Sequence, residues 1–324
     1  MPDKNIPDPS NVPSLPDRPT LPPRRTHTRR SWIGAAVVGL VVGGGGGFAA
    51  GRSSSDNSTS GTKLTTVKIG VTDADQDYWT VFKKLARDRG IKVQTVNFSD
   101  YTQANPALAQ GQLDLNLFQH LVFLATYNDQ SHETLTPVGS TYVVPLSLYS
   151  RKHKSVSSIP AGAKIAIPND ATNQARALLV LQKAGLLKLK GGGNILSTPA
   201  DVDKGASKVQ VTPVDASQTV TSLSSVDGAV INNNFALDGK LDPTSALYSD
   251  DPKSATAQPY INVIVAREQD KDNPTYAELV KLYQDPRVSK LVVAESKNTS
   301  VLVRKPAAAL RKLLTGLEKT VASK

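Results

Sequence analysis

The chain has 324 residues, a length typical of two domains or of one large bilobal domain, and its hydrophobic content of 39% is normal for a soluble protein. It contains no cysteine, which excludes disulfides, thiolate metal sites and thiol nucleophiles. The formal net charge is +10, but the basic residues are spread thinly and aromatic residues do not alternate with them, so we predict no nucleic-acid partner. The charge instead favours solubility and attraction to an anionic membrane surface.

The N-terminal part divides into three segments by composition. Residues 1–31 are rich in proline, aspartate and arginine and lack apolar periodicity, so we predict a disordered cytoplasmic tail. Residues 32–51 contain an uncharged stretch long enough to span a bilayer, and the arginines before it place the N-terminus in the cytoplasm and the remainder outside. We expect this segment to be either a twin-arginine signal or an uncleaved anchor, and the alternative is a flexible glycine-rich linker. Residues 52–65 are rich in serine, threonine and glycine, which predicts a flexible tether.

From residue 66 to 324 the pattern alternates between strands and helices. The predicted strands are 67–72, 91–98, 113–118, 164–168, 208–214, 228–232 and 260–266, with an extended stretch at 138–149. The predicted helices are 78–89, 106–110, 120–129, 172–184, 217–224, 276–285 and 306–321. Repeated βαβ units predict a mostly parallel sheet with helices on both faces. Two similar strand–helix–strand series predict a hinged pair of lobes, with lobe 1 at about 66–144 and 236–324 and lobe 2 at about 145–235.

Polar and aromatic side chains converge in the run from Asp100 to His120. A strand-like core, LDLNLF, is surrounded by asparagine and glutamine amides, two aromatic residues and one histidine. A small zwitterionic ligand needs an aromatic face for its apolar part and fixed donors and acceptors for its charged head. The alternative is an ordinary edge strand with a polar turn. The candidate ligand-binding residues from this run are Tyr101, Asn116, Phe118 and His120.

Two further polar clusters follow predicted strands. In the first, Asn173 and Arg176 lie three residues apart near a helix start, so they share a face, and the guanidinium can bind a carboxylate through two hydrogen bonds. The second holds the amides of Asn232 and Asn234. Because ligands of open α/β sheets bind at the carboxyl ends of the strands, we expect these clusters to meet in a cleft. The alternative for Arg176 is a solvated helix charge.

The sequence offers little support for catalysis. His120 borders the predicted cleft, but no carboxylate or second metal ligand accompanies it. The motifs GxSxG and HExxH and the P-loop are absent from the sequence. We therefore predict no metal, no cofactor and no enzymatic activity, with His120 as a hydrogen-bonding group.

The stretch from about Thr66 to Lys290 resembles the NlpA-type substrate-binding lipoproteins of methionine ABC transporters. The resemblance is carried by LDLNLFQH at 113–120, IPNDATN at 167–173 with RAL at 176–178, AVIN at 229–232 and PYINVIV at 259–265. It implies an α/β protein with a bilobal periplasmic-binding-protein fold of type 2, in which two doubly wound lobes joined by a hinge close on methionine.

The resemblance also implies roles for the candidate residues. Tyr101 and Phe118 would flank the thioether, in agreement with the favourable contact between sulfur and aromatic rings. Arg176 would hold the carboxylate. Polar contacts to the amino-acid head would come from His120, Asn173 and Asn232, and Tyr142 and Asn234 are carried over as further ligand-binding positions.

The chain departs from the family pattern in several places. The segment 47–55 resembles the end of a lipoprotein signal, with Arg52 where the lipidated cysteine would stand, so we expect no lipid anchor. The segment 72–78, TDADQDY, is acidic where the family has small residues, and the end beyond Lys290 carries a basic helix.

The leading hypothesis is a membrane-tethered solute-binding protein that delivers methionine or a close analogue to the permease and ATPase subunits of an ABC importer. Its binding domain would lie outside the cell membrane. L-methionine, D-methionine, an oxidised form and a short peptide all remain open as ligands. The alternatives are a non-transport surface receptor and an enzyme that acts on an amino-acid-like ligand, with His120 as base and Asp75 or Asp77 as the second titrating group.

Overall fold

The structure, a computed structural model, describes residues 64–323. The predicted tail, membrane segment and tether up to residue 63 lie outside the described residues. Within 64–323, no helix is both long and apolar enough to cross a membrane. The first strand begins at Thr65, one residue before the predicted start of the folded part at residue 66.

The described residues contain twelve strands and nine α-helices. The strands are β1 (Thr65–Val71), β2 (Ile91–Asn97), β3 (Leu115–His120), β4 (Thr136–Ser140), β5 (Tyr142–Val143), β6 (Ser147–Tyr149), β7 (Ala163–Pro168), β8 (Val209–Val214), β9 (Gly228–Ile231), β10 (Tyr248–Ser249), β11 (Asn262–Ala266) and β12 (Val301–Leu302). The helices are α1 (Tyr78–Asp88), α2 (Tyr101–Ala109), α3 (Leu121–Ser131), α4 (Ala171–Lys183), α5 (Thr219–Ser222), α6 (Asn233–Asp238), α7 (Pro274–Tyr283), α8 (Pro286–Glu295) and α9 (Ala307–Ala322).

The strands form two five-stranded sheets, which we call the first and second lobes together with the helices that pack on them. The first sheet has the order β2-β1-β3-β11-β4 and the second has the order β10-β6-β9-β7-β8. A two-stranded sheet of β5 and β12 accompanies them. Each lobe has its own buried apolar core, built from side chains such as Ile69 and Leu115 in the first lobe and Ile165 and Leu181 in the second.

Each of the large sheets is mixed rather than mostly parallel. In the first, β1 pairs parallel with β2 and β3, while β11 runs antiparallel to β3 and β4. In the second, β7 pairs parallel with β8 and β9, while β6 runs antiparallel to β9 and β10. In each described sheet, the antiparallel strand is the first one that the chain forms after it crosses from the other lobe: β11 in the first sheet and β6 in the second. The chain enters each sheet at the edge where the parallel strands end, so this strand runs antiparallel to them.

Several helix boundaries differ from the predictions. The predicted helix 106–110 begins earlier, at Tyr101, because the Asp100 carboxylate caps it by accepting from the Thr102 backbone N–H over 2.8 Å. A helix, α6, replaces the predicted polar turn after β9. The helix α8 was not predicted, although Asp285 followed by Pro286 is a normal helix start.

The chain crosses between the lobes twice. The first crossing lies between β5 and β6, and the second follows β10 and ends before β11. The predicted lobe bounds remain a prediction. In the structure, β10 at residues 248–249 pairs with β6 in the second sheet, whereas lobe 2 was predicted to end at residue 235. The second crossing thus comes later in the chain than expected.

We predict that Gly139→Ala destabilises the first lobe. A Cβ at this position in β4 would lie 2.6 Å from both Cγ atoms of Val280 on α7, closer than carbon atoms pack. The expected loss is about 1–3 kcal/mol of unfolding free energy, measured by urea denaturation, because the helix must shift away from the sheet. Adding Val280→Ala should restore most of it.

Gly316→Ala is the matched control. This glycine lies inside α9, and an added Cβ would have no heavy atom within 4 Å. The control should be neutral or stabilising by up to about 1 kcal/mol, since alanine favours the helix. Equal losses in the two variants would contradict the close packing of β4 against α7.

Candidate ligand-binding site

A cavity of about 80 Å³ lies between the two lobes. This is several times the roughly 10–15 Å³ that one water molecule requires on the same measure. Both lobes contribute to its wall at the carboxyl ends of their strands, as predicted from the three polar clusters. The predicted site residues that line it are Tyr101, Phe118, His120, Tyr142, Asn173, Arg176, Asn232 and Asn234.

Asn116 is the predicted site residue that does not line the cavity. It is fully buried, its amide donates to Asn105 Oδ1 over 2.8 Å, and its carbonyl oxygen accepts from Gln119 Nε2 over 2.9 Å. The reason is its depth, because Asn116 lies opposite Gly70 inside the sheet and two residues before Phe118. Asn116 therefore belongs to a buried amide network beneath α2, and its prediction as a ligand contact is corrected.

Aromatic rings form one side of the cavity. The Tyr101 and Phe118 ring centres lie 6.1 Å apart, and Phe123 contacts Phe118 edge to face at 5.7 Å. The Tyr101 hydroxyl donates to Asn234 Oδ1, which joins the first lobe to the second. Sequence reasoning missed Phe123, which lies within α3, where an aromatic residue is indistinguishable from ordinary helix packing.

Hydrogen-bonding groups also line the cavity. The His120 Nδ1 accepts from the Phe123 backbone N–H over 3.2 Å and caps α3, so the ring proton is on Nε2, which lies 3.3 Å from Asn173 Oδ1. Asn232 Nδ2 also donates to Asn173 Oδ1, over 2.9 Å. Asn232 Oδ1 and Asn234 Nδ2 are buried and have no partner within residues 64–323. These two asparagines therefore offer one free acceptor and one free donor to a ligand.

Arg176 supplies the positive charge of the cavity. It is the one cation among the described lining residues, and its side chain is 4% exposed. Its Nε and Nη2 donate to the Asp250 carboxylate over 2.7 and 3.1 Å, and Nη2 also donates to the Val144 carbonyl over 2.8 Å. Its guanidinium carbon lies 4.2 Å from the Tyr260 ring centre. Sequence reasoning missed Asp250, because it lies in a polar run, SDDPK, that reads as an ordinary loop.

An acidic side chain, that of Asp73, also lines the cavity. Asp73 accepts from the Tyr78 hydroxyl over 2.8 Å and from Trp79 Nε1 over 3.1 Å. Burial raises the pKa of its carboxyl to about 6, although the two hydrogen bonds act in the opposite direction and lower the pKa. The predicted alternatives Asp75 and Asp77 are absent from the cavity wall within the described chain. Sequence reasoning located the acidic loop but chose the wrong members of it.

His120 is not placed to act as a general base. Burial, and then the positive charge of Arg176, lower the pKa of its imidazole to about 3. Its Nε2 faces the Asn173 amide oxygen rather than a carboxylate. Within residues 64–323, no three histidine, aspartate or glutamate side chains come together in a group that could hold a metal ion. The geometry suits binding through neutral hydrogen bonds and one guanidinium.

We predict that His120→Asn changes how stability depends on pH. Below about pH 6.5 the unfolded histidine binds a proton, whereas folded His120 stays neutral down to about pH 3. Folding therefore loses about 1.4 kcal/mol per pH unit as the pH falls through this range. Asparagine removes this loss and can still cap α3. Urea unfolding between about pH 6.5 and about pH 4.5 should show a smaller loss of stability in the variant than in the wild type.

Asp73→Asn is a control of opposite sign. Between about pH 6 and pH 3.8 the Asp73 carboxyl is protonated in the folded chain but ionised in the unfolded chain, because burial raises its folded pKa to about 6. Its contribution to stability is therefore lost as the pH rises through this range. The variant should lose stability relative to the wild type as the pH falls. Parallel stability curves for both variants and the wild type would contradict the burial of these two groups.

Comparison with known proteins supports the same fold and family. The description of the family model that matches residues 67–303 is NlpA lipoprotein. The chain is 39% identical over 229 residues to the probable D-methionine-binding lipoprotein MetQ of Pasteurella multocida, covering 70% of this chain and 80% of that protein. It is 38% identical over 240 residues to lipoprotein 28 of Escherichia coli K12, covering 72% of this chain and 86% of that protein.

Solved structures agree. A nutrient binding protein from Burkholderia cenocepacia bound to methionine is 40% identical to this chain, with a TM-score of 0.67. The match covers 73% of this chain and 99% of the Burkholderia chain. The substrate binding protein of a methionine transporter from Streptococcus pneumoniae is 36% identical, with a TM-score of 0.68, and covers 74% of this chain and 95% of that chain. The prediction of a bilobal periplasmic-binding-protein fold is confirmed. The chain belongs to the NlpA lipoprotein family, as the resemblance in its sequence predicted.

Proposed function

We propose that this chain is the substrate-binding protein of an ABC importer and that it binds methionine or a close analogue between its two lobes. The observation that carries the proposal is an interlobe cavity whose described lining residues include aromatic rings and a single buried guanidinium, that of Arg176. This combination matches an amino acid with an apolar side chain. The names of two similar proteins, which describe D-methionine binding and a methionine transporter, support methionine as that amino acid.

The chemistry of the wall suggests an orientation for the ligand. The carboxylate would bind Arg176 through Nη1, the guanidinium nitrogen that makes no hydrogen bond within residues 64–323. The ammonium group would donate to the free carbonyl oxygen of Asn232, and the amide of Asn234 would donate to the ligand. The thioether would contact the ring edges of Tyr101 and Phe118, where sulfur–aromatic contacts are favourable.

Binding would proceed by closure of the two lobes about the chain crossings, as in other two-lobed binding proteins. The Tyr101–Asn234 and His120–Asn173 contacts connect the lobes across the cavity, so they would form or tighten on closure. No bond is made or broken. The permease and ATPase subunits of the importer are the proposed partners.

The proposed location is the outer face of the cell membrane. The arginines before residue 32 support a cytoplasmic N-terminus, and the uncharged stretch within 32–51 would keep the domain at the membrane. Protease treatment of intact cells or spheroplasts should cleave the binding domain. Protection of the domain would contradict this location.

We predict that Arg176→Ala weakens L-methionine binding by more than about tenfold, because a buried charged hydrogen bond is lost. Titration calorimetry on the purified protein measures this. Lys183→Ala, on the exposed face of the same helix, is the matched control and should bind like the wild type. Arg176→Gln provides a second test if the alanine variant unfolds, and unchanged affinity in either Arg176 variant would refute the role of the guanidinium.

We predict that Phe118→Leu reduces the preference for methionine over norleucine, which replaces the sulfur with a methylene group. The contact between sulfur and an aromatic ring contributes about 0.3–1.5 kcal/mol, which corresponds to a severalfold preference in the wild type. Competition calorimetry with the two amino acids measures the ratio. Phe98→Leu, in a different apolar cluster, should keep the wild-type ratio. An unchanged ratio in Phe118→Leu would contradict contact between this ring and the thioether.

A further inference from the structure

Arg176 has an anionic partner within the chain itself. A guanidinium carries five N–H donors. Three of them are used by the Asp250 carboxylate and the Val144 carbonyl oxygen. The two on Nη1 make no hydrogen bond within the described range 64–323. A ligand carboxylate would therefore share this guanidinium with Asp250 rather than have it alone.

The pair lies where charges interact strongly. The Arg176 side chain is 4% exposed and that of Asp250 is 17% exposed, and the Tyr260 ring covers the guanidinium. In such poorly solvated surroundings the interaction between two charges is several times larger than in bulk water. The negative charge of Asp250 therefore offsets much of the positive potential that Arg176 presents to the cavity.

Asp250 is fixed in place by both chain crossings. Its Oδ1 accepts from the Leu146 backbone N–H over 2.8 Å, and its own backbone N–H donates to the Leu146 carbonyl over 3.3 Å. Leu146 belongs to the first crossing, whereas Asp250 starts the second. The carboxylate cannot turn away from Arg176 without breaking the hydrogen bond between the two crossings, so it stays beside the guanidinium.

We infer that Asp250 is a positioning residue and permanent counter-ion of Arg176 that lowers the affinity of the cavity for a ligand carboxylate. The inference rests on the proposed function, because it takes the ligand to bind through its carboxylate. Two anions that share one guanidinium repel each other, so the affinity is lower than Arg176 alone would provide. A transport protein gains from this, because it must release its ligand when the lobes open.

Asp250→Asn tests the inference, since it keeps the shape of the side chain and the acceptor for Leu146 while removing the charge. We expect L-methionine to bind about tenfold more tightly by titration calorimetry, because the repulsion is gone. L-methioninamide, which lacks the carboxylate, should show no gain. The ligand-free variant should unfold several degrees below the wild type, because Arg176 is then a buried cation without a counter-ion. A merely structural role would lower stability without raising affinity.

Asp251→Asn is the matched control, because Asp251 is exposed and makes no contact with Arg176 in the described chain. This variant should keep the wild-type affinity and unfolding temperature. Unchanged or weaker methionine binding by Asp250→Asn, with normal binding by the wild type, would overturn the inference. If the wild type binds no methionine, the proposed function fails. The inference is then tested by measuring unfolding temperatures in sodium acetate and in sodium chloride at equal concentration. Acetate should raise the unfolding temperature of Asp250→Asn more than that of the wild type. Equal shifts in the two proteins would overturn the inference.

Discussion

A guanidinium that is charged and almost fully buried needs acceptors around it, and Arg176 finds them only where the two lobes meet. Its backbone belongs to α4 of the second lobe, while its acceptors come from Val144 in the first crossing and Asp250 at the start of the second. Tyr260, which precedes β11 of the first lobe, covers its face. Removing one partner of such a pair would leave a buried charge, which is far more costly than any exposed ion pair. The position of this guanidinium and the arrangement of the crossings therefore depend on each other.

Several polar groups of the cavity lie at junctions between a strand and the helix that follows it. His120 ends β3 and caps α3. Asn173 lies in the first turn of α4, which Asp170 caps after β7 by accepting from the Asn173 backbone N–H. Asn232 stands between β9 and α6. Capping fixes the direction of the His120 and Asp170 side chains, and in His120 it also decides the tautomer, because Nδ1 is occupied as an acceptor and Nε2 must donate. The same short segments thus end the strands, start the helices and line the cavity.

Much of this arrangement follows from local sequence patterns, within limits that particular elements illustrate. Apolar spacing predicts a helix over 78–89, and the structure has one at Tyr78–Asp88. The start of α2 was missed because Pro106 resembles a first-turn proline, whereas the capping carboxylate of Asp100 lies six residues earlier. The mixed character of the sheets could not be read from βαβ spacing, because the direction of β6 and β11 depends on how the chain crosses between lobes.

The family, the alternation of strands and helices, and the polar clusters at the strand ends could all be predicted from the sequence, because each depends on residues close together in the chain. That Phe118 reaches the cavity while Asn116, two residues earlier, lies beneath α2 depends on the tertiary fold. Alternation along a strand tells which face a side chain takes, but not what covers that face. Nor does any local signal join Arg176 to Asp250, which are 74 residues apart in the chain. The folding of both crossings against α4 brings them together, so this pair depends on the whole fold.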